Sequence, residues 1–183
     1  MRENIIVKPS VEKQFDRFLR QGRVLFFSAP CGFGKTAVAE ALLSSREVLR
    51  LSADSAGFKL PSAEAGWQIL LLDDLQDMQE EQDWNALCEL IRACPERRFV
   101  LLSRGTPPGS LMAFQYTGLM TVLEADDLLF DADDVRRLFQ LSGANVTDSE
   151  IDGILKESVG YPLGVVITAR CMSPDKPLSL IHI

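Results

Sequence analysis

The sequence predicts an α/β protein: a parallel β-sheet of about five strands covered by helices, followed by a small helical subdomain. Three observations lead to this prediction. Five short segments are apolar throughout, which is typical of strands buried on both faces, as in parallel sheets. Helical patterns lie between these segments, and alternation of strands with helices favours parallel order. Finally, 183 residues suffice for one core of this kind.

The predicted strands follow one another along the first two thirds of the chain. They are residues 23–28, 47–51, 68–72, 98–102 and 120–123. A helix precedes the first strand, with Ser10 as its N-cap and Gly22 beyond its end. A second helix starts at residues 35–36, and a third, with apolar residues at helical spacing, ends before Pro95. Only 16 residues, 52–67, separate the second and third strands, so we expect a loop there with at most one helical turn.

The strands stop after residue 125, and three short helices are predicted beyond it. Asp131 begins the first of them, and Thr147 with Glu150 forms a capping box for the second. Pro162 suits the first turn of the third. The chain is therefore divided into three parts: residues 1–125 as a sheet core, 126–172 as a helical lid, and 173–183 as a tail.

Composition and charge exclude several classes of protein. Acidic residues outnumber basic residues by 26 to 19, which gives a net charge of −7. We therefore do not expect this surface to bind nucleic acid, although one concave site can still hold an anion. The four cysteines have neither zinc nor disulfide spacing. Since no apolar run approaches the roughly 20 residues of a membrane span, we expect a cytoplasmic protein with reduced thiols and no membrane contact.

The strongest candidate site is the segment S-A-P-C-G-F-G-K-T at residues 28–36, which joins a buried strand to a helix. This context is typical of the phosphate-binding loop of P-loop NTPases. Gly32 and Gly34 would let successive backbone N–H groups point at one anion, and the helix N-terminus adds a favourable dipole. Lys35 would reach the β- and γ-phosphates of ATP, and Thr36 would give its hydroxyl to Mg²⁺. The predicted nucleotide-binding residues of the loop are Ala29, Pro30, Cys31, Gly32, Phe33, Gly34, Lys35 and Thr36.

One position departs from the G-x-x-x-x-G-K-[ST] pattern, because Ala29 stands where the first glycine belongs. A methyl group is the smallest possible change, and it is tolerated if the φ angle of this residue is negative. A glycine-rich turn without a ligand is the alternative interpretation.

Two further polar elements follow predicted strands. Asp73 and Asp74 end the third strand, at the edge where ligands of α/β sheets bind. Asp73 is predicted to bind Mg²⁺, and Asp74 to orient or deprotonate the attacking water or to pair with a base elsewhere. A solvated helix N-cap is the alternative for this acidic pair.

Arg104 follows the fourth strand, where a cation would face the γ-phosphate, although an arginine in such a place is more often a solvated surface charge.

Taken together, the motifs resemble a known family. They are Ala29-Pro30-x-Gly32-x-Gly34-Lys35-Thr36, Leu72-Asp73-Asp74, Leu102-Ser103-Arg104 with Pro107-Pro108, Asp127-Leu128-Leu129-Phe130 and Gly160-Tyr161-Pro162-Leu163. Over roughly residues 5–172 they resemble the ATPase domain of maltose-regulator-like proteins. These are large ATP-binding LuxR-type transcriptional regulators, within the signal-transduction ATPases with numerous domains (STAND).

The resemblance implies a nucleotide switch, in which ATP and an inducer drive self-association and slow hydrolysis to ADP resets the protein. It implies that Lys35 and Thr36 bind phosphate and Mg²⁺, that Asp73 and Asp74 form the acidic pair, that Arg104 senses the γ-phosphate, and that Pro162 contacts the base. The sequence departs from the family in its short 52–67 segment. It also lacks the family's winged-helix, sensor-repeat and DNA-binding parts, so DNA contact is expected only through domains absent from this chain. The tail, residues 173–183, resembles no part of the family, and we expect it to be disordered or foreign.

Two other functions stay open at this point. One is a nucleotide-binding or interaction module without significant hydrolysis, since two aspartates stand where a catalytic glutamate is usual. The other is a small P-loop kinase, which would need an arginine-rich lid. Residues 126–172 offer only Arg136, Arg137 and Arg170.

Overall fold

The computed structural model describes residues 5–172, so the tail predicted over 173–183 lies outside the described residues. Its strands are β1 (Val24–Ser28), β2 (Val48–Ser52), β3 (Ile69–Asp73), β4 (Arg98–Ser103) and β5 (Met120–Glu124). They form one sheet in the order β2-β3-β4-β1-β5, and every neighbouring pair is parallel. The predicted fold class is therefore confirmed. The parallel arrangement brings the carboxyl ends of β1, β3 and β4 to one edge of the sheet.

The helices fill the connections between strands and then continue beyond the sheet. They are α1 (Pro9–Gln21), α2 (Lys35–Leu42), α3 (Glu81–Ala93), α4 (Met112–Tyr116), α5 (Ala125–Leu128), α6 (Ala132–Leu141), α7 (Asp148–Ser158) and α8 (Pro162–Met172). Residues 53–68 form turns without a helix, as their length predicted.

The sheet is covered on both faces, because successive side chains of each strand point to opposite sides. Phe26 of β1 packs with the apolar face of α3, whereas Leu25 and Phe27 pack with α1 and α2. All three of these side chains are fully buried. The strand β2 differs, since it lies at the sheet edge, its side chains are only partly buried, and Arg50 is exposed. Even so, both of its faces are covered in part, because Leu49 packs on one core cluster and Val48 packs on the other.

One predicted helix boundary is wrong. The helix α1 begins at Pro9, so Ser10 lies inside its first turn and Lys8 is the N-cap, without a side-chain hydrogen bond. Proline suits the first turn because its missing N–H is one that the helix would leave unpaired. The end is as predicted, since the N–H of Gly22 donates to the Phe18 carbonyl at 2.9 Å.

The last three helices begin with the predicted caps and bury an apolar cluster of their own. Asp131 accepts hydrogen bonds from two N–H groups of α6, and Thr147 with Glu150 forms the capping box of α7. The helix α8 begins at Pro162. The cluster joins these helices to Ile6 of the segment before α1. Within residues 5–172, no helix is long and apolar enough to cross a membrane.

Candidate functional site

The loop between β1 and α2 has the backbone that its glycines predicted. Gly32 and Gly34 have φ angles of +81° and +75°, in the left-handed region that favours glycine. Gly34 is the N-cap of α2 and offers no side chain to the first-turn N–H groups. Those groups face the loop and are suited to an anion. The only positive φ angles of other residue types within residues 5–172 belong to Asp74 and Val159, so Ala29 meets the condition for replacing glycine.

Lys35 curls back over the loop that precedes it. Its Nζ donates to the carbonyls of Ala29 at 2.7 Å and Pro30 at 2.9 Å, and the residue is 9% exposed. Burial lowers the pKa of Lys35, and the nearby Asp73 opposes that effect only in part. A desolvated cation in this position is stabilised by an anion placed beside it.

Thr36 and Asp73 meet across the sheet edge. The Thr36 hydroxyl donates to Asp73 Oδ2 at 2.7 Å, although the two residues are 37 positions apart. A hydroxyl and a carboxylate are hard oxygen ligands, which Mg²⁺ prefers, and Mg²⁺ usually takes its other ligands from phosphates and water. Within residues 5–172 there is no group of three or more His, Cys, Asp or Glu residues that could hold a metal by themselves. The pair therefore fits a magnesium ion that arrives with a nucleotide.

Asp74 adopts a left-handed backbone conformation, with φ of +56°, directly after β3. It is the N-cap residue of the short turn Leu75–Asp77 that follows, but its side chain makes no capping hydrogen bond to that turn. Instead Oδ2 accepts from the Ser52 hydroxyl at 2.9 Å, and Oδ1 accepts from the Gln76 amide at 3.0 Å. The carboxylate is thus held at the sheet edge beside Asp73.

Arg104 reaches the same place from the end of β4. Its guanidinium is 57% exposed, and Nη2 lies 3.8 Å from Asp74 Oδ1. Its backbone N–H donates to Gln76 Oε1 at 3.2 Å. The structure therefore brings together the loop lysine, the threonine, both aspartates and this arginine, around one solvent-open cavity of about 290 Å³. The lining residues of this phosphate-side cavity are Cys31, Gly32, Gly34, Lys35, Thr36, Asp73, Asp74, Gln76, Arg104 and Leu163.

A second cavity, small at about 40 Å³ and also open to solvent, lies on the other side of Gly34, and it is mainly apolar. It includes the predicted Phe33 and Pro162. The remaining lining residues are Ile5, Ile6, Lys8, Val11, Gly34, Ala37, Val38, Leu128, Phe130, Leu138 and Val166. Sequence reasoning missed most of these residues, because they come from α1 and the segment before it, from α2, from α5 and the residues after it, and from α6 and α8. An apolar slot that adjoins a polar phosphate-side cavity has the lining and the position that a flat base would need.

Tyr161 joins the segment before α8 to the loop. Its hydroxyl donates to the Cys31 carbonyl at 3.0 Å, and its ring lies 5.2 Å from that of Phe33. The N–H of Leu163 donates to the Gly32 carbonyl at 3.1 Å. A Cβ atom on Gly32 would overlap the Tyr161 hydroxyl, so this glycine is required for the close approach as well as for its φ angle. These contacts use carbonyl groups of the loop and leave its N–H groups to a ligand.

Comparisons with known proteins agree with the fold. No protein-family model matches the sequence, and no curated protein is similar to it in sequence. Among solved structures, a Walker-type ATPase of Pyrococcus abyssi is similar with a TM-score of 0.66 and 15% identity, over 95% of this chain and 70% of that one. The replication initiator DnaA bound to AMPPCP and single-stranded DNA is similar with a TM-score of 0.64 and 16% identity, over 96% and 65%.

A third similar structure is a STAND protein with a tetratricopeptide repeat sensor from Pyrococcus horikoshii. Its TM-score is 0.62 at 11% identity, over 92% of this chain and 30% of that chain. The chain thus spans from 30% to 70% of the length of these proteins. At such identities the likeness establishes the fold that this chain shares with these proteins, and function has to be argued from the site.

Proposed function

We propose that this chain is the ATP-binding and slowly ATP-hydrolysing switch module of a STAND-type, LuxR-family transcriptional regulator. The observation that carries the proposal is the convergence of Lys35, the Thr36–Asp73 pair and Arg104 on one cavity beside an apolar slot. This arrangement offers positive charge and N–H groups to phosphates, hard oxygens to Mg²⁺, and an apolar surface to a base. ATP has the matching groups, which are the phosphates with their Mg²⁺ at one end and the base at the other.

Each side chain has a part in this proposal. Lys35 leaves the loop carbonyls and pairs with the β- and γ-phosphates, while Thr36 and Asp73 hold Mg²⁺. The bound ion would supply neutralisation of the phosphate charge. Asp74 orients the water that attacks the γ-phosphorus and accepts its proton as the bond to the β-phosphate oxygen breaks. Arg104 stabilises the charge on the γ-phosphate.

In this proposal, residues 1–125 form the sheet core and residues 126–172 form the lid. The helices from α6 to α8 act as the lid over the base. Pro162 contacts the base from the lid side, and Phe33 contacts it from the loop side. Lys8 joins the two parts, because it connects the segment before α1 to the lid. Its Nζ donates to the Leu129 carbonyl at 2.6 Å and lies 3.7 Å from Asp134. A change in lid position would therefore also move the wall of the base slot.

The regulatory part of the proposal concerns partners. The STAND neighbour has a tetratricopeptide repeat sensor, and this chain spans 30% of that protein. We propose that nucleotide state controls self-association through this module, and that DNA is bound only by domains outside it. The net charge of −7 supports the second point. The described cysteines are unpaired, which suits a cytoplasmic location.

A binding module without significant hydrolysis is the second candidate. The observation that favours it is the state of Asp74, whose two oxygens both already accept hydrogen bonds. A kinase fits less well, because Arg136 in the lid is engaged by Asp133 at 2.7 Å and Asp148 at 2.8 Å.

Phosphate release from Mg-ATP distinguishes these functions. We expect the wild-type chain to release phosphate slowly and Asp74→Asn to release it at least tenfold more slowly still, since a positioned base contributes about 10²-fold or more. Equal rates for the two proteins would favour the binding module. Transfer of the phosphate to a nucleoside or small molecule would favour the kinase.

A further inference from the structure

Gln76 lies between the two groups that the proposed function places at the γ-phosphate. It is the middle residue of the short turn Leu75–Asp77 that follows β3. Its amide Nε2 donates to Asp74 Oδ1 at 3.0 Å, and its Oε1 accepts the N–H of Arg104 at 3.2 Å. The residue also lines the phosphate-side cavity.

The two contacts require an amide. The partner on one side is a carboxylate, which needs a donor, and the partner on the other side is an N–H group, which needs an acceptor. The same Nε2 also donates to Asp77 Oδ2, with 3.2 Å between the two atoms. The orientation of the amide is therefore fixed by its surroundings. Glutamate has the same length but would present an acceptor to Asp74, and leucine would present neither group.

The bridge joins the ends of two neighbouring strands. Asp74 follows β3, and Arg104 follows β4, which pairs with β3 in parallel. The direct contact between their side chains is long, at 3.8 Å, and the arginine is half exposed. Such an exposed pair contributes little by itself. The hydrogen bonds through Gln76 therefore fix the Arg104 backbone, and with it the reach of the guanidinium, relative to the carboxylate.

We propose that Gln76 is a positioning residue that makes Asp74 and Arg104 act as one unit towards the γ-phosphate. The inference rests on the proposed function and deepens it. Gln76 then controls both the preference of the site for ATP over ADP, through Arg104, and the rate of hydrolysis, through Asp74. It has little effect on ADP binding, because its partners lie beside the γ-phosphate position.

The test compares Gln76→Leu with Gln82→Leu, a matched change on the exposed face of α3. Affinities for Mg-ATP and Mg-ADP are measured by calorimetric titration, and single-turnover hydrolysis is measured on the same proteins. We expect Gln76→Leu to reduce the ATP-to-ADP affinity ratio by about fivefold or more and the hydrolysis rate by about tenfold. ADP affinity and the thermal unfolding midpoint should stay at the wild-type values, and Gln82→Leu should change nothing. Gln76→Glu, which keeps the length and the contact to Arg104 but not the donor, should lose hydrolysis and retain the affinity ratio.

A double-variant cycle separates positioning from an independent effect. If Gln76 acts through Arg104, the variant with both Gln76→Leu and Arg104→Ala has the same affinity ratio as Arg104→Ala alone. Losses that multiply would overturn the inference, as would a wild-type affinity ratio and rate in Gln76→Leu. Failure of the proposed function looks different, because the wild-type chain would then bind neither Mg-ATP nor Mg-ADP.

Discussion

The contact between Tyr161 and the loop can be tested by placing alanine at two glycines with the same backbone conformation. Gly32 and Gly34 have φ angles of +81° and +75°, so a Cβ atom at either position is strained. Around Gly34 nothing lies within 4 Å of the added atom, whereas at Gly32 it overlaps the Tyr161 hydroxyl. Gly57, at +75° and also in open space, is a control outside the site.

The magnitudes follow from this difference. The left-handed conformation costs an alanine about 1–2 kcal/mol. The gain of about 0.4–1 kcal/mol from restricting the unfolded chain is common to all three variants. Gly34→Ala and Gly57→Ala should therefore lower the free energy of unfolding by about 1 kcal/mol. Gly32→Ala should cost roughly 1–3 kcal/mol more, because the Tyr161 hydrogen bond to Cys31 is lost and the ring is displaced.

Urea denaturation of the nucleotide-free protein, followed by tryptophan fluorescence and circular dichroism, measures these values. Removal of the ring by Tyr161→Ala should abolish most of the extra cost of Gly32→Ala, which a double-variant cycle detects. Equal costs for Gly32→Ala and Gly34→Ala in the wild-type background would refute the docking of Tyr161 on the loop.

Three further predictions concern ligand binding. Burial lowers the pKa of Lys35 below the ordinary lysine value of about 10.4. ATP affinity, measured by calorimetry, should therefore fall as pH rises through that lowered pKa. The variant Lys35→Arg stays protonated and should show a flatter pH profile, and identical profiles for the two proteins would contradict this role of Lys35. Thr36→Val removes the hydroxyl that contacts Asp73 and should abolish the stimulation of nucleotide binding by Mg²⁺, measured with a fluorescent nucleotide, while binding in chelator persists. Ile6→Ala should reduce the affinities for ATP and ADP alike by about tenfold, since roughly 1–2 kcal/mol of apolar contact with the base is lost. A reduced affinity for ATP alone would place Ile6 outside the apolar slot.

The sheet and the phosphate-side cavity could be predicted from sequence for a common reason. Local apolar runs predict where the strands lie, and the parallel order of the strands then brings their carboxyl ends together. The apolar runs and the parallel order are therefore enough to predict that Lys35, Asp73 and Arg104 lie near one another. The error at Ser10 was also local, because the favoured N-cap residue follows a proline that itself suits the first turn.

The base slot and the Gln76 bridge could not be predicted in this way. The slot is formed by packing of the segment before α1 against the lid, and no local pattern records which distant apolar residues meet. Gln76 contacts Arg104 across neighbouring strands, and a glutamine in a turn carries no signal of such a partner. The approach of Tyr161 to Gly32 was hidden too, since the φ angle alone already accounts for the glycine.

Equilibrium binding of Mg-ATP to the wild-type chain and to Lys35→Ala is the most direct test of a nucleotide site at this loop. The matched control is Lys59→Ala, which removes an exposed lysine away from the cavity. We expect the wild-type chain and Lys59→Ala to bind Mg-ATP equally well and Lys35→Ala to show no measurable binding, with all three proteins equally folded. Unchanged affinity in Lys35→Ala, or no binding by the wild-type chain, would contradict the phosphate-loop assignment.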